Sequence, residues 1–140
     1  MKLIFDEVPE FDRDFKHLSK KYRTLDADFG RFKKALSADG VNLRGTVRIS
    51  GLGKDVTIPI YKAKKFHSDS FKGRGSQSGF RVIYAHISGS ETIVFLEMYH
   101  KNSQENEDRN RIHKYFGTES TYVKRNTTSP SLPQSSFPPA

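Results

Sequence analysis

A chain of 140 residues with 34% hydrophobic and 29% charged residues has material for one compact core, with 11 Phe and 6 Tyr supplying its bulk, and it excludes a multi-domain enzyme. The absence of Cys excludes a disulfide framework, a thiolate zinc site and a cysteine nucleophile. Lys and Arg number 24 against 16 Asp and Glu, a net charge of +8 that points to a polyanion such as nucleic acid or to an acidic protein partner.

The N-terminus reaches Asp6 after a short apolar run, so neither a signal peptide nor a spanning segment is expected, and the expected compartment is the cytoplasm. Lys2 to Phe5 is expected as a first strand, and Pro9 stands where a helix begins. Phe11, Phe15, Leu18 and Tyr22 share one face of that helix, with Arg13, Lys16, Lys20 and Lys21 elsewhere. After a break at Arg23–Thr24 the pattern repeats in Leu25, Phe29, Phe32 and Leu36, with Thr24 or Asp26 as N-cap and Gly40 near the end. These two segments predict a helical hairpin.

Val41 to Gly53 is rich in Gly and Asn, and the period then changes. Val56 to Lys65, Gly79 to Ser88 and Glu91 to Tyr99 are β-branched and aromatic, which predicts three strands in an antiparallel meander. Ser88-Gly89-Ser90 links the last two tightly, and Phe66 to Ser78 is a longer polar loop. A final helix is expected from Asn102 or Ser103, with Glu105, Glu107 and Asp108 early, Arg109, Arg111 and Lys114 later, and Ile112, Tyr115 and Phe116 as its apolar contact. The order β-α-α-β-β-β-α is an α+β domain with helices packed on a small, twisted, mainly antiparallel sheet. Residues 1–125 form the working domain. Residues 126–140, with four Pro, four Ser and no charge, read as a disordered tail.

On a strand, side chains two apart share a face, so Lys62 and Lys64 project together. A hairpin turning at Gly89 pairs residues whose numbers sum to about 179, which sets Arg81 opposite Met98 with Tyr99 and Lys101 just beyond. One end of the sheet is then expected to gather Lys62, Lys64, Arg81, Tyr99, His100 and Lys101, with Lys65 beside them. Clustered like charges repel, so the cluster suits a bound phosphate chain. RNA cleavage there needs a base for the 2′-OH proton, cationic donors for the charged phosphorane and an acid for the leaving 5′ oxygen, and it needs no metal or other cofactor. Arg81 suits the phosphate through its planar fork, and Tyr99 offers a hydroxyl and a stacking ring. Lys64 is a candidate base where neighbouring cations favour its neutral form, and His100 is the rival acid or base or else a partly buried structural residue.

The remaining features are weaker. Lys72-Gly73-Arg74-Gly75 lacks the spacing of a phosphate loop and reads as a mobile arm, with Lys72 and Arg74 able to touch an RNA backbone. His67, Asp69 and His86 have no ligand spacing that fixes a metal. Glu97 lies in an apolar strand, on the expected face of Ile93, Phe95 and Tyr99, and needs a cationic partner if buried.

Phe15-Lys16-His17-Leu18-Ser19-Lys20-Lys21-Tyr22, Tyr61-Lys62-Ala63-Lys64, Gly79-Phe80-Arg81-Val82-Ile83-Tyr84 and Ile93 through Lys101 together resemble, in order and arrangement, the RelE/ParE superfamily of bacterial toxins over residues 2–116. The resemblance implies the toxin half of a type II toxin–antitoxin module, bound by a cognate antitoxin that covers its basic face, with operator DNA reached only through the antitoxin. For RelE-like members it implies metal-independent, ribosome-dependent endonucleolytic cleavage of mRNA in the A site. By motif it places Lys62, Lys64 and Arg81 on the family's strand lysines and strand arginine, and Lys101 near a basic position where the family often has Arg. Tyr99-His100 looks like the variants that use Tyr or His. The loop from Phe66 to Ser78 is longer than in compact members. A ParE-like gyrase inhibitor and a non-catalytic RNA-binding regulatory module are the alternatives, and retention of Lys62, Lys64 and Arg81 favours the ribonuclease.

Overall fold

The computed structural model describes residues 2–71, 73, 77–118 and 121–122. Lys72, Arg74 and the tail at 126–140 lie outside the described residues. Among these, three α-helices and five strands follow in the order β1 (Ile4–Glu7), α1 (Pro9–Lys21), α2 (Leu25–Asp39), β2 (Thr46–Arg48), β3 (Ile60–Ala63), β4 (Phe80–Ile87), β5 (Thr92–His100) and α3 (Arg109–Phe116), with one 3-10 turn, Ser88–Ser90, joining β4 to β5. This is an α+β fold, with one five-stranded mixed sheet in the order β1-β5-β4-β3-β2.

The helices form where the apolar spacing puts them. α1 opens on Pro9, whose missing N–H costs nothing in the first turn, and carries Glu10 and Asp12 at its start and Lys20 and Lys21 at its end, as the helix dipole favours. Phe11 is buried against Phe29 and Phe95, with ring centroids 5.5 Å away in each case, and Phe95 meets Phe29 at 4.8 Å. These rings join the helical hairpin to one face of the sheet. Asp28, buried in α2, accepts hydrogen bonds from Thr24 Oγ1 at 2.8 Å, Ser68 Oγ at 2.7 Å and the Asp69 N–H at 3.2 Å, and pairs with Arg31 at 2.7 Å. That knot ties the loop after β3 to α2.

Several boundaries differ from the sequence reading. β1 begins at Ile4 rather than Lys2 and pairs in parallel with β5. β3 keeps only Ile60–Ala63 of the expected Val56–Lys65 strand, because Pro59 cannot donate to a ladder. The stretch from Val41 to Gly53, read from the sequence only as rich in Gly and Asn, contains the additional edge strand β2, three residues paired antiparallel to β3. α3 begins at Arg109, since the Asp108 carboxylate accepts the Arg111 N–H as cap, and Glu105 and Glu107 precede the helix rather than opening it.

The β4–β5 register has a sum of 179 from Ile87↔Thr92 to Tyr84↔Phe95 and then slips to 180, at Ile83↔Glu97 through Phe80↔His100. A bulge between these pairs inserts Leu96. Arg81 therefore faces Tyr99 and not Met98. The same bulge sends Phe95 to the helical hairpin, where it stacks on Phe5, while Glu97 joins Tyr99 on the opposite face. Beyond the end of β1, the open edge of β5 is completed by side chains: the Met98 N–H donates to Asp14 at 3.2 Å and the Leu96 carbonyl accepts from Arg111 at 2.8 Å.

Candidate functional site

The end of the sheet formed by the finish of β3, the start of β4 and the finish of β5 carries the expected basic residues, but on two faces. Lys62 pairs with Ile83, and Arg81 with Tyr99, so Lys62, Arg81, Tyr99 and Glu97 share the face away from the helical hairpin. Phe80, paired with His100, lies on the hairpin face. The positions come together because β4 antiparallel to both neighbours brings its own beginning beside their ends.

Arg81 is half-buried, and its Nη1 donates to the Lys64 carbonyl at 3.1 Å, which fixes the guanidinium next to the strand end. Lys64, Lys65 and Lys101 are exposed. Lys65 lays its stem across Gly45, where a Cβ would come within 2.4 Å of Lys65 Cγ, and Gly45 holds φ +81, so a side chain there is excluded twice over. The Lys101 N–H donates to the Gly79 carbonyl at 2.9 Å, extending the β4–β5 pairing one step past the strands.

Lys62 is committed to an acid. Its Nζ donates to Glu107 Oε1 at 2.7 Å, and Arg109 Nε donates to Glu107 Oε2 at 3.0 Å. Burial opposes the Glu107 charge, but the hydrogen bond from Lys62 and the other donors around it win and hold the carboxyl below its ordinary range. Glu97, also buried, accepts the Asp108 N–H at 2.8 Å and the Gln104 amide at 2.6 Å. Among the described residues no cation contacts it directly, and burial lifts its pKa above the usual value in spite of those donors. The neutralising partner expected from the sequence is thus a pair of N–H donors.

Tyr99 is 5% exposed, and its hydroxyl is buried without a hydrogen-bond partner among the described residues. Burial, with the charges of Glu107 and Glu97 adding to it, raises the phenol to about 12, so it is a protonated donor at neutral pH. His100 occupies a different setting. Its Nε2–H donates to the Ser78 carbonyl at 2.9 Å, its Nδ1 accepts the Asn102 N–H at 3.2 Å, and its ring stacks on Phe71 at 5.3 Å and meets Phe80 edge-on. Burial holds the imidazole pKa below its usual value, with Lys101, Arg81 and Lys21 acting in the same direction. Both nitrogens are engaged, so the ring has neither a free lone pair nor a free proton.

Sequence reasoning missed the role of Glu107. The signal lay in an acidic residue between a strand and a helix, but only the tertiary fold brings position 107 to position 62. His67 bonds Asp69 at 3.0 Å on the surface and His86 reaches Glu91 at 3.3 Å, so the histidines considered for a metal sit in separate places. Among the described residues no cluster of three or more His, Asp or Glu is placed to hold a metal ion. None of the described helices is long and apolar enough to cross a membrane.

No protein-family model and no curated protein matches the chain. Among solved structures it is similar to a chain of the archaeal RelE–RelB complex from Pyrococcus horikoshii OT3, at 15% identity over 74% of this chain and 100% of that chain, with a TM-score of 0.49.

Proposed function

We propose that this chain is a RelE-like toxin, a ribosome-dependent endoribonuclease that cuts mRNA and is neutralised by a cognate antitoxin covering its basic end. The observation that carries this reading is the meeting of Arg81 and Lys64 at one sheet end, with Tyr99 packed beneath Arg81, on strands whose sequences carry the family pattern. In this reading the Arg81 fork holds two oxygens of the scissile phosphate, and Lys64 becomes a second positive charge beside it once it has taken the nucleophile's proton. The 2′-oxygen attacks phosphorus while its proton passes to the Lys64 amine. The new O2′–P bond forms as the P–O5′ bond breaks, and the leaving 5′ oxygen takes its proton from solvent water, because the Tyr99 hydroxyl is enclosed behind Arg81. The products are a 2′,3′-cyclic phosphate and a 5′-hydroxyl.

Lys62 takes a supporting part here, because its ammonium is already held by Glu107. His100 is left out of the reacting set, since its ring nitrogens serve Ser78 and Asn102. Lys101 and Lys65 are assigned to the flanking phosphates, as exposed cations on the two sides of Arg81.

The test is primer extension on mRNA from a translating ribosome preparation, with wild type, Arg81→Ala and Lys64→Ala compared. Discrete, ribosome-dependent cuts that fall by about 100-fold or more in folded Arg81→Ala are expected. Intact mRNA with wild-type protein, or undiminished cutting by folded Arg81→Ala, overturns the proposal.

A further inference from the structure

A cleft of about 320 Å3 lies between α1 and the end of β5, on the side of the sheet end away from Arg81 and Lys64. Its floor is apolar, made by Leu18, Tyr22 and Met98, and its rim carries Arg13, His17 and Lys21. These three rim residues recur at intervals of four, so α1 presents them as one stripe, and all three are exposed. No described acidic side chain pairs with them. The carboxylate in the cleft, Asp14, is taken by Arg111 at 2.8 Å and by the Met98 N–H at 3.2 Å.

Tyr99 and His100 also border the cleft, so it opens at the same sheet end as Arg81 and Lys64, across the open edge of β5 from them. An apolar floor under a cationic rim matches a nucleobase and the phosphates on either side of it, and the volume is of the order a single small ligand needs, roughly 300 Å3 or more. We propose that this cleft receives one nucleotide of single-stranded RNA adjoining the cleaved phosphate and biases which sequences are cut. The proposal rests on the ribonuclease reading for its link to cleavage, while the binding itself is independent of it.

Two measurements separate the two. In the first, the isotopically labelled full chain is titrated with a pentaribonucleotide bearing 2′-O-methyl groups, which cannot be cleaved, and NMR shifts are followed at His17 and at the Leu18 and Met98 methyls. Saturable shifts at these positions are expected. They should persist in Arg81→Ala, while in the His17→Ala/Lys21→Ala double variant the affinity should fall at least tenfold, with a shallower salt dependence. In the second, wild type and the double variant cut mRNA on ribosomes, and a redistribution of cut sites is expected in the variant.

An absence of saturable shifts in the cleft, or equal shifts with a polyglutamate peptide, overturns the nucleotide assignment, the latter in favour of an acidic protein segment. Cleft shifts together with unchanged cut sites overturn the specificity role. Cleft binding with intact mRNA retains the nucleotide site and removes the ribonuclease reading instead.

Discussion

Phe80 and Arg81 are neighbours on β4, and His100 and Tyr99 are their partners on β5, yet the two pairs live in different chemistry. Phe80 is fully buried, with Phe66, Phe71, Tyr22 and His100 around its ring. Arg81, one residue on, is half-buried beside Lys64, on the face where Lys62, Arg109 and Glu107 form an ion network. The strand pleat alone makes this division, because successive side chains leave a sheet on opposite sides. One face spends its residues on stability and encloses a histidine with an aromatic cage. The other keeps charge near solvent, where a phosphate can reach it.

The division is open to direct test. Phe80→Ala removes a ring from a packed site and is expected to cost about 3–5 kcal/mol in urea unfolding. Arg81→Ala is expected to cost under about 1 kcal/mol while removing the mRNA cutting proposed for this site. Equal stability losses at the two positions would erase the contrast between the faces.

Glu107→Ala is the next largest. It strands Lys62, whose side chain is only 16% exposed, and breaking a buried pair costs about 3–5 kcal/mol, with the lower end expected because Lys62 retains some solvent. The pH dependence follows from the sign of the shift. The folded-state Glu107 carboxyl lies below its ordinary value of 4.5, so its contribution is fully present above that value and is lost as pH falls through the folded pKa. Urea unfolding between pH 6 and acid conditions should show wild type losing this margin while Glu107→Ala does not.

His100→Phe keeps the stacking and deletes both polar contacts, leaving the Ser78 carbonyl and the Asn102 N–H without their partner, a cost of about 1–3 kcal/mol. Here the folded pKa lies below the ordinary 6.5, so the unfolded chain binds the proton more readily. Wild type should therefore lose stability as pH falls below about 6.5 and level off once pH passes the folded pKa, and His100→Phe should lack that component. An imidazole that titrates at or above the ordinary value in NMR would remove His100 from the cage and return it to the list of proton carriers.

Much of the fold was legible because its signals are local. The four-three-four spacing of Phe11, Phe15, Leu18 and Tyr22 specifies an amphipathic helix whatever it packs on, and Pro9 marks its start. β2 escaped because Thr46–Arg48 is three residues long, sits among glycines and is a strand only through its pairing with β3. The site was read in outline, since Lys62, Lys64, Arg81 and Tyr99 do share one sheet end. Its register came out one residue off because a bulge leaves no reliable mark in a run as uniformly apolar as Ile93 to Leu96.

By itself, then, the amino-acid order determined the α+β class, the helical hairpin, the hairpin turn at Gly89 and the gathering of basic residues at one end of the sheet. Each of these follows from periodicity, turn chemistry or short-range pairing. Tertiary structure alone decided that Lys62 answers to Glu107, that His100 is enclosed and that Arg13, His17 and Lys21 overlook a cleft ending at Tyr99. Those outcomes depend on residues far apart in the chain arriving within a few ångströms, and on which side of a pleat each one falls.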